Sequence, residues 1–260
     1  MVRFGWLPSD LLHDFETDGS RVKLETWTQG DGPRTAALIH GASMGGDVWR
    51  DLGRILVDEY DLKLILLDQR GHGRSPRSDN YRVSDFAGDL VETLPVGLDF
   101  LIGQSLGGVA SAWAAGAVKP GRYIGLDPAF TASAGAALML RYLGPLQPKM
   151  PDWMLHRLGS PVKGSAPDTL ERFHAMWSQW DPSMMKQLVK SGRATPFPVG
   201  PPAVPSTIVL ADPSFVISKQ MADEFRAAGW DVRLKPGGEH DLHLQDPQGI
   251  ATLLDDVLRA

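Results

Sequence analysis

Ser105 lies in Gly103-Gln104-Ser105-Leu106-Gly107, a pentapeptide that follows an apolar run at residues 98–102 and precedes a stretch of helix formers. A serine held on a sharp strand-to-helix turn must adopt a strained backbone, and glycines two before and two after it remove side chains that would collide across the bend. The result is a hydroxyl presented at the end of a sheet, where it can act as a nucleophile. Small residues follow, with Gly108, Ala110, Ser111, Ala112, Ala114 and Ala115 allowing a helix to pack closely on its strand while its N-terminus points at the site.

A serine hydroxyl is a weak nucleophile at neutral pH and needs a base, itself oriented by an acid. His240 stands in a loop, Lys235-Pro236-Gly237-Gly238-Glu239-His240-Asp241, just after the last predicted strand. It is favoured over His243, whose neighbours Leu242 and Leu244 point to packing. Two aspartates compete for the acid. Asp127 ends a strand directly after the nucleophile helix, in Gly125-Leu126-Asp127-Pro128, and Asp212 ends a later one, in Leu210-Ala211-Asp212-Pro213-Ser214. Either could instead be an Asp-Pro strand terminator. A metal cluster of Glu239, His240, Asp241 and His243 is disfavoured, because nothing else in the sequence completes a zinc site, and no metal or other cofactor is expected.

The elements that must position these groups are legible as alternating runs. Apolar, β-branched or Leu-rich segments at 22–28, 35–39, 62–67, 98–102, 123–126, 207–210 and 231–234 predict strands, and helical patterns fall at 48–58, 83–93, 106–117, 218–228 and 247–258. Such alternation predicts an α/β fold with a mostly parallel sheet flanked by helices. The regularity breaks at 128–205, where Pro and Gly punctuate helical pieces and six of the nine methionines occur with Trp153, Trp177 and Trp180. This predicts a core of residues 1–127 and 206–260 with a helical cap inserted at 128–205. Trp153, Met154, Trp177, Trp180 and Met184 are candidate pocket residues, since Met and Trp offer adaptable apolar surface, although packing explains such residues equally well.

Composition narrows the function classes. A formal charge of −5 with interspersed signs gives no footprint for nucleic acid or an anionic membrane, and the absence of cysteine removes disulfides and thiol chemistry. The first residues lack the apolar run of a signal peptide and no segment reads as a membrane span, so a cytoplasmic location is the expectation. The oligomeric state is not legible. Gly41 to Asp47 lacks the Gly-Lys-Ser/Thr ending of a phosphate loop, which argues against nucleotide binding.

Taken together, His40-Gly41-Ala42, Asp68-Gln69-Arg70-Gly71-His72-Gly73-Arg74-Ser75, the Ser105 elbow and the His240 loop resemble the α/β-hydrolase-fold enzymes over nearly the whole chain. The resemblance implies that the backbone N–H groups of Ala42 and Leu106 form an oxyanion hole, with His40 supporting the first of these loops. His72 and Arg74 lie in a Gly-punctuated turn after a strand and are read as holding its geometry rather than doing chemistry. In the commonest family pattern the acid follows the strand after the cap as Gly-x-x-Asp, and here Ser214 occupies that position with Asp212 two residues early. A minority, including pancreatic-type lipases, some fungal lactone hydrolases and haloalkane dehalogenases, carry it one strand earlier, as Asp127 would be. Asp127 is therefore the preferred acid and Asp212 the alternative.

The implied activity is hydrolysis of a small apolar ester or lactone. Carbon–carbon bond hydrolysis with the same residues, incidental haloperoxidase behaviour, and a ligand-binding protein that keeps the fold with little turnover remain as alternatives.

Overall fold

The computed structural model describes residues 22–131, 168–194 and 197–260. Seven strands form one sheet: β1 (Glu25–Gln29), β2 (Arg34–Ile39), β3 (Leu62–Asp68), β4 (Phe100–Gln104), β5 (Arg122–Leu126), β6 (Ser206–Asp212) and β7 (Asp231–Pro236), in the order β1-β3-β2-β4-β5-β6-β7. β1 runs antiparallel to β3, and all other pairs are parallel. All seven correspond to runs read from the sequence.

Their composition explains the arrangement. Every residue of β4 is buried, as are the last four of β2 and the first six of β6. Strands covered on both faces by helices need continuous apolar runs rather than alternation. β1 starts at Glu25 rather than Val22, because side chains take the backbone there: Val22 N–H donates to Asp89 Oδ1 (3.0 Å) and Glu25 N–H to Ser75 Oγ (2.8 Å).

The described helices are α1 (Arg50–Tyr60), α2 (Val83–Thr93), α3 (Ser105–Val118), α4 (Thr169–Trp177), α5 (Met184–Ala194), α6 (Lys219–Ala227), α7 (Leu242–Gln245), α8 (Pro247–Leu253) and α9 (Asp255–Arg259). Two expected helices are divided. The 48–58 pattern begins with a 3-10 turn, Gly46–Trp49, where Gly46 N–H donates to the Asp68 carboxylate (2.9 Å). The 247–258 pattern breaks at Leu254, and side chains compete there for its carbonyls: Arg233 donates to Leu253 O (2.5 Å), and the Tyr60 hydroxyl lies 3.1 Å from Ala251 O and 2.9 Å from Asp255 Oδ1. α6 starts where a cap dictates, with Ser218 Oγ accepting from Met221 N–H.

α3 is the central helix and is buried along most of its length. Its small residues permit this. A Cβ on Gly107 would strike the carbonyl oxygens of Ile39 and His40, and one on Gly103 would strike Gly107 O, so the elbow glycines are required by close backbone approach between β2, β4 and α3.

Between β5 and β6 the described residues add no strand to the sheet. Their helices rest on the core, α4 against the 3-10 turn and α5 against α2. Trp153 and Met154 lie outside the described residues.

Beneath the loop after β3, the fully buried Arg70 guanidinium pairs with Asp89 through two bonds of 2.6 and 2.7 Å and donates to Asn80 O. Burial pushes the Asp89 carboxyl above its usual range, against the pull of Arg70. Asp89→Ala leaves the guanidinium buried without its carboxylate and is expected to cost about 3–5 kcal/mol, read as a lower urea midpoint at unchanged slope.

Candidate active site

Ser105 occupies the first position of α3 with φ +50°, a left-handed conformation that a residue with a Cβ avoids unless its surroundings hold it. The turn aims its hydroxyl at the β7–α7 loop, where it donates to His240 Nε2 (2.9 Å). His240 Nδ1 donates to Asp127 Oδ2 (2.6 Å). Three side chains separated by 135 and 113 residues thus form one hydrogen-bonded chain.

Asp127 is fully buried just past the end of β5. It too has positive φ (+42°), and its orientation is set by the neighbouring strand. Its N–H donates to Val209 O (2.7 Å) and its second carboxylate oxygen accepts from Ala211 N–H (3.3 Å), both in β6. Asp212 is exposed at the end of β6. With one ring nitrogen of His240 on Asp127 and the other on Ser105, neither is left for Asp212. Ser214, at the position where the acid more often lies, instead accepts the N–H groups of Val216 (3.2 Å) and Ile217 (3.1 Å) to hold a turn.

The histidines divide by environment. Burial alone would lower the pKa of His240, but its hydrogen bond to Asp127 and the charges of Asp241 and Asp127 outweigh this and hold it above 6.5. His243, buried against Trp49 with ring centroids 4.4 Å apart, is depressed to about 3 by burial and by His240, so it stays neutral. Burial raises the pKa of the Asp241 carboxyl, which accepts from Gln104 Nε2 (3.1 Å). The same amide donates to His240 O (3.2 Å), tying the His240 loop to the strand that leads into Ser105.

The loop expected to supply an oxyanion donor is interlocked with the loop after β3. His40 Nδ1 donates to Gly41 O (2.7 Å) and its Nε2 accepts from Gln69 N–H (2.9 Å), while His72 Nδ1 donates to Arg70 O (2.9 Å) and its Nε2 accepts from Ser43 N–H (3.1 Å). Backbone donors at both Nε2 atoms require neutral rings, and burial lowers both pKa values accordingly. Asp68 joins the same two loops by accepting from Gly46 N–H (2.9 Å) and Arg74 N–H (3.0 Å). Arg74 itself is half exposed and lies over the Trp27 ring at 4.3 Å.

Gly41 is close enough to Ser105 that a Cβ there would lie 3.3 Å from Ser105 Cβ, which brings Ala42 beside the elbow. Leu106 N–H belongs to the first turn of α3, where backbone donors have no partner within the helix.

Of the candidate pocket residues, Trp177, Trp180 and Met184 are buried, and Trp180 stacks with His72 at 6.3 Å. Met184 reaches the loop after β3, since a Cβ on Gly71 would meet its terminal methyl at 2.8 Å. Trp180 and Met184 thus meet the loop after β3, while the Trp177 ring packs within its own helix against Phe173 (5.3 Å) and His174 (5.5 Å). Sequence reasoning did not single out Gln104 or Asp68, although both stand inside quoted motifs, nor Phe215, whose ring lies 4.6 Å from the His240 imidazole.

The chain belongs to the alpha/beta hydrolase family, whose sequence model matches residues 37–253. Over 112 residues it is 32% identical to pimeloyl-(acyl-carrier protein) methyl ester esterase of Methylococcus capsulatus, a match spanning 42% of this chain and 42% of that relative. Similar solved structures include an esterase from Thermogutta terrifontis, at 17% identity with TM-score 0.69 over 92% of this chain and 93% of the other. An esterase from Exiguobacterium antarcticum gives 18% identity and TM-score 0.69 over 92% and 96%. At these identities the structural likeness is one of fold.

Proposed function

We propose that the protein is a serine hydrolase that cleaves carboxylic esters, lactones included, with Ser105 as nucleophile, His240 as proton shuttle and Asp127 as orienting acid. The observation that carries this reading is the chain Asp127–His240–Ser105, with bonds of 2.6 and 2.9 Å, converging on a strained elbow. Oγ of Ser105 attacks the carbonyl carbon as His240 Nε2 takes its proton. The tetrahedral oxyanion is stabilised by the N–H groups of Ala42 and Leu106, a kind of donor whose individual loss typically costs about 10²–10³ in rate. His240 then passes the proton to the departing alcohol oxygen. Water hydrolyses the acyl-enzyme by the same route in reverse. The fold alone would not choose an activity. Support for an ester comes from this geometry and from the partial relative, a methyl ester esterase.

The test is labelling by a fluorophosphonate followed by a ranking of kcat/KM over p-nitrophenyl esters, lactones and diketones. Labelling with ester or lactone turnover supports the reading. A preference for diketones would favour carbon–carbon hydrolysis, and no labelling would favour a binding protein.

The pH profile follows from His240. Only the neutral imidazole accepts the serine proton, and its surroundings favour the charged form, so protonation removes activity at higher pH than an isolated histidine would. The acid limb of kcat/KM is expected to have a midpoint above 6.5 and to follow a single ionisation. Full activity persisting well below that value would remove His240 from the mechanism.

A further inference from the structure

Phe215 is the one aromatic ring among the exposed large apolar side chains of the described residues, at 43% exposure. Single exposed apolar residues are common and by themselves signify nothing. Its placement is what matters. The ring centroid lies 4.6 Å from that of His240, with the planes at 49°. It is presented by a fixed turn, because Ser214 Oγ accepts from both Val216 and Ile217, and Thr131 Oγ1 donates to Val216 O (2.9 Å). Val216 and Ile217, which follow the exposed ring, are themselves buried and anchor the turn on that side.

On the ester-hydrolase reading above, the two halves of the substrate part in known directions. The bond from Ser105 Oγ to the carbonyl carbon forms, the bond from that carbon to the alcohol oxygen breaks, and the serine proton reaches the alcohol oxygen through His240 Nε2. The alcohol therefore departs alongside the imidazole, while the acyl group stays on Ser105. A side chain against the imidazole borders the alcohol half.

We infer that Phe215 is a specificity-determining residue that forms an aromatic wall for the alcohol portion, so that the preferred substrates are esters of apolar, ring-bearing alcohols rather than methyl esters. Offset or edge-to-face contact between rings adds to the apolar area that such an alcohol buries.

The experiment measures kcat/KM for the butanoates of methanol, 1-butanol and benzyl alcohol, which share one acyl-enzyme and differ only in the leaving group. The wild type is expected to favour the benzyl ester. In Phe215→Ala the benzyl-to-methyl ratio should fall about tenfold, the scale on which one pocket contact discriminates, with Phe215→Leu falling between. Equal losses on all three esters would show that Phe215 positions His240 instead. An unchanged ratio in both variants, with melting temperatures near wild type, would show that the alcohol does not touch it. Either overturns the inference and leaves the hydrolase standing. A wild type that is neither labelled by a fluorophosphonate nor active on any butanoate would overturn both.

Discussion

Ser105→Ala is expected to reduce ester turnover by roughly 10⁴–10⁶, because the members of a triad act as a unit and losing the nucleophile leaves only binding and the oxyanion donors. Folding should survive the change. The hydroxyl's contact is with His240 Nε2, and serine and alanine carry the same Cβ into the strained φ of +50°. The measurement pairs kcat/KM on a p-nitrophenyl ester with a thermal melt, and adds fluorophosphonate labelling, which the wild type should show and the variant should not. Turnover near the wild-type level in a folded Ser105→Ala protein would place the chemistry elsewhere.

Asp127→Asn is expected to lower kcat by about 10⁴ while Asp212→Asn retains most activity, both proteins remaining folded. The side-chain amide of asparagine has nearly the shape of the carboxylate, but it can donate to His240 Nδ1 and so favour the tautomer that carries the proton on Nε2. That tautomer cannot accept the serine proton. The substitution also removes the hydrogen bond and charge that raise the histidine's pKa, so the residual activity should show an acid limb displaced to lower pH. Asp212 is exposed and the imidazole's nitrogens are already engaged. A severe loss in Asp212→Asn with a mild one in Asp127→Asn would move the acid to β6.

The parts of this protein legible in its sequence are those governed by local rules. The interior strands announce themselves because a strand buried on both faces needs a continuous apolar run, as residues 100–103 and 208–211 supply. The elbow announces itself because only glycine tolerates the approach of β4 and α3 backbones at Gly103 and of β2 and α3 backbones at Gly107. His240 stands out by its place in a loop after the last strand. Ambiguity begins where one local pattern serves two ends. The Trp177, Trp180 and Met184 pattern suits a pocket wall or a packed seam, and the structure buries all three.

Choosing between Asp127 and Asp212 lay beyond any local rule. Each ends a strand before a proline, and their immediate sequences are nearly interchangeable. What separates them is made across the sheet: Val209 O and Ala211 N–H of β6 hold Asp127 within hydrogen-bond reach of His240 Nδ1, while Ser214 folds the chain after Asp212 into a turn. The breaks at Trp49 and Leu254 have the same origin, since long-range partners such as Asp68, Tyr60 and Arg233 draw backbone groups there. Phe215 carries no sequence signal at all, because its neighbour His240 comes from another loop. Periodicity and glycine placement are properties of a short stretch of chain and can be read from it. The direction of a carboxylate or a ring is fixed by hydrogen bonds and contacts between segments that meet only when the sheet has formed.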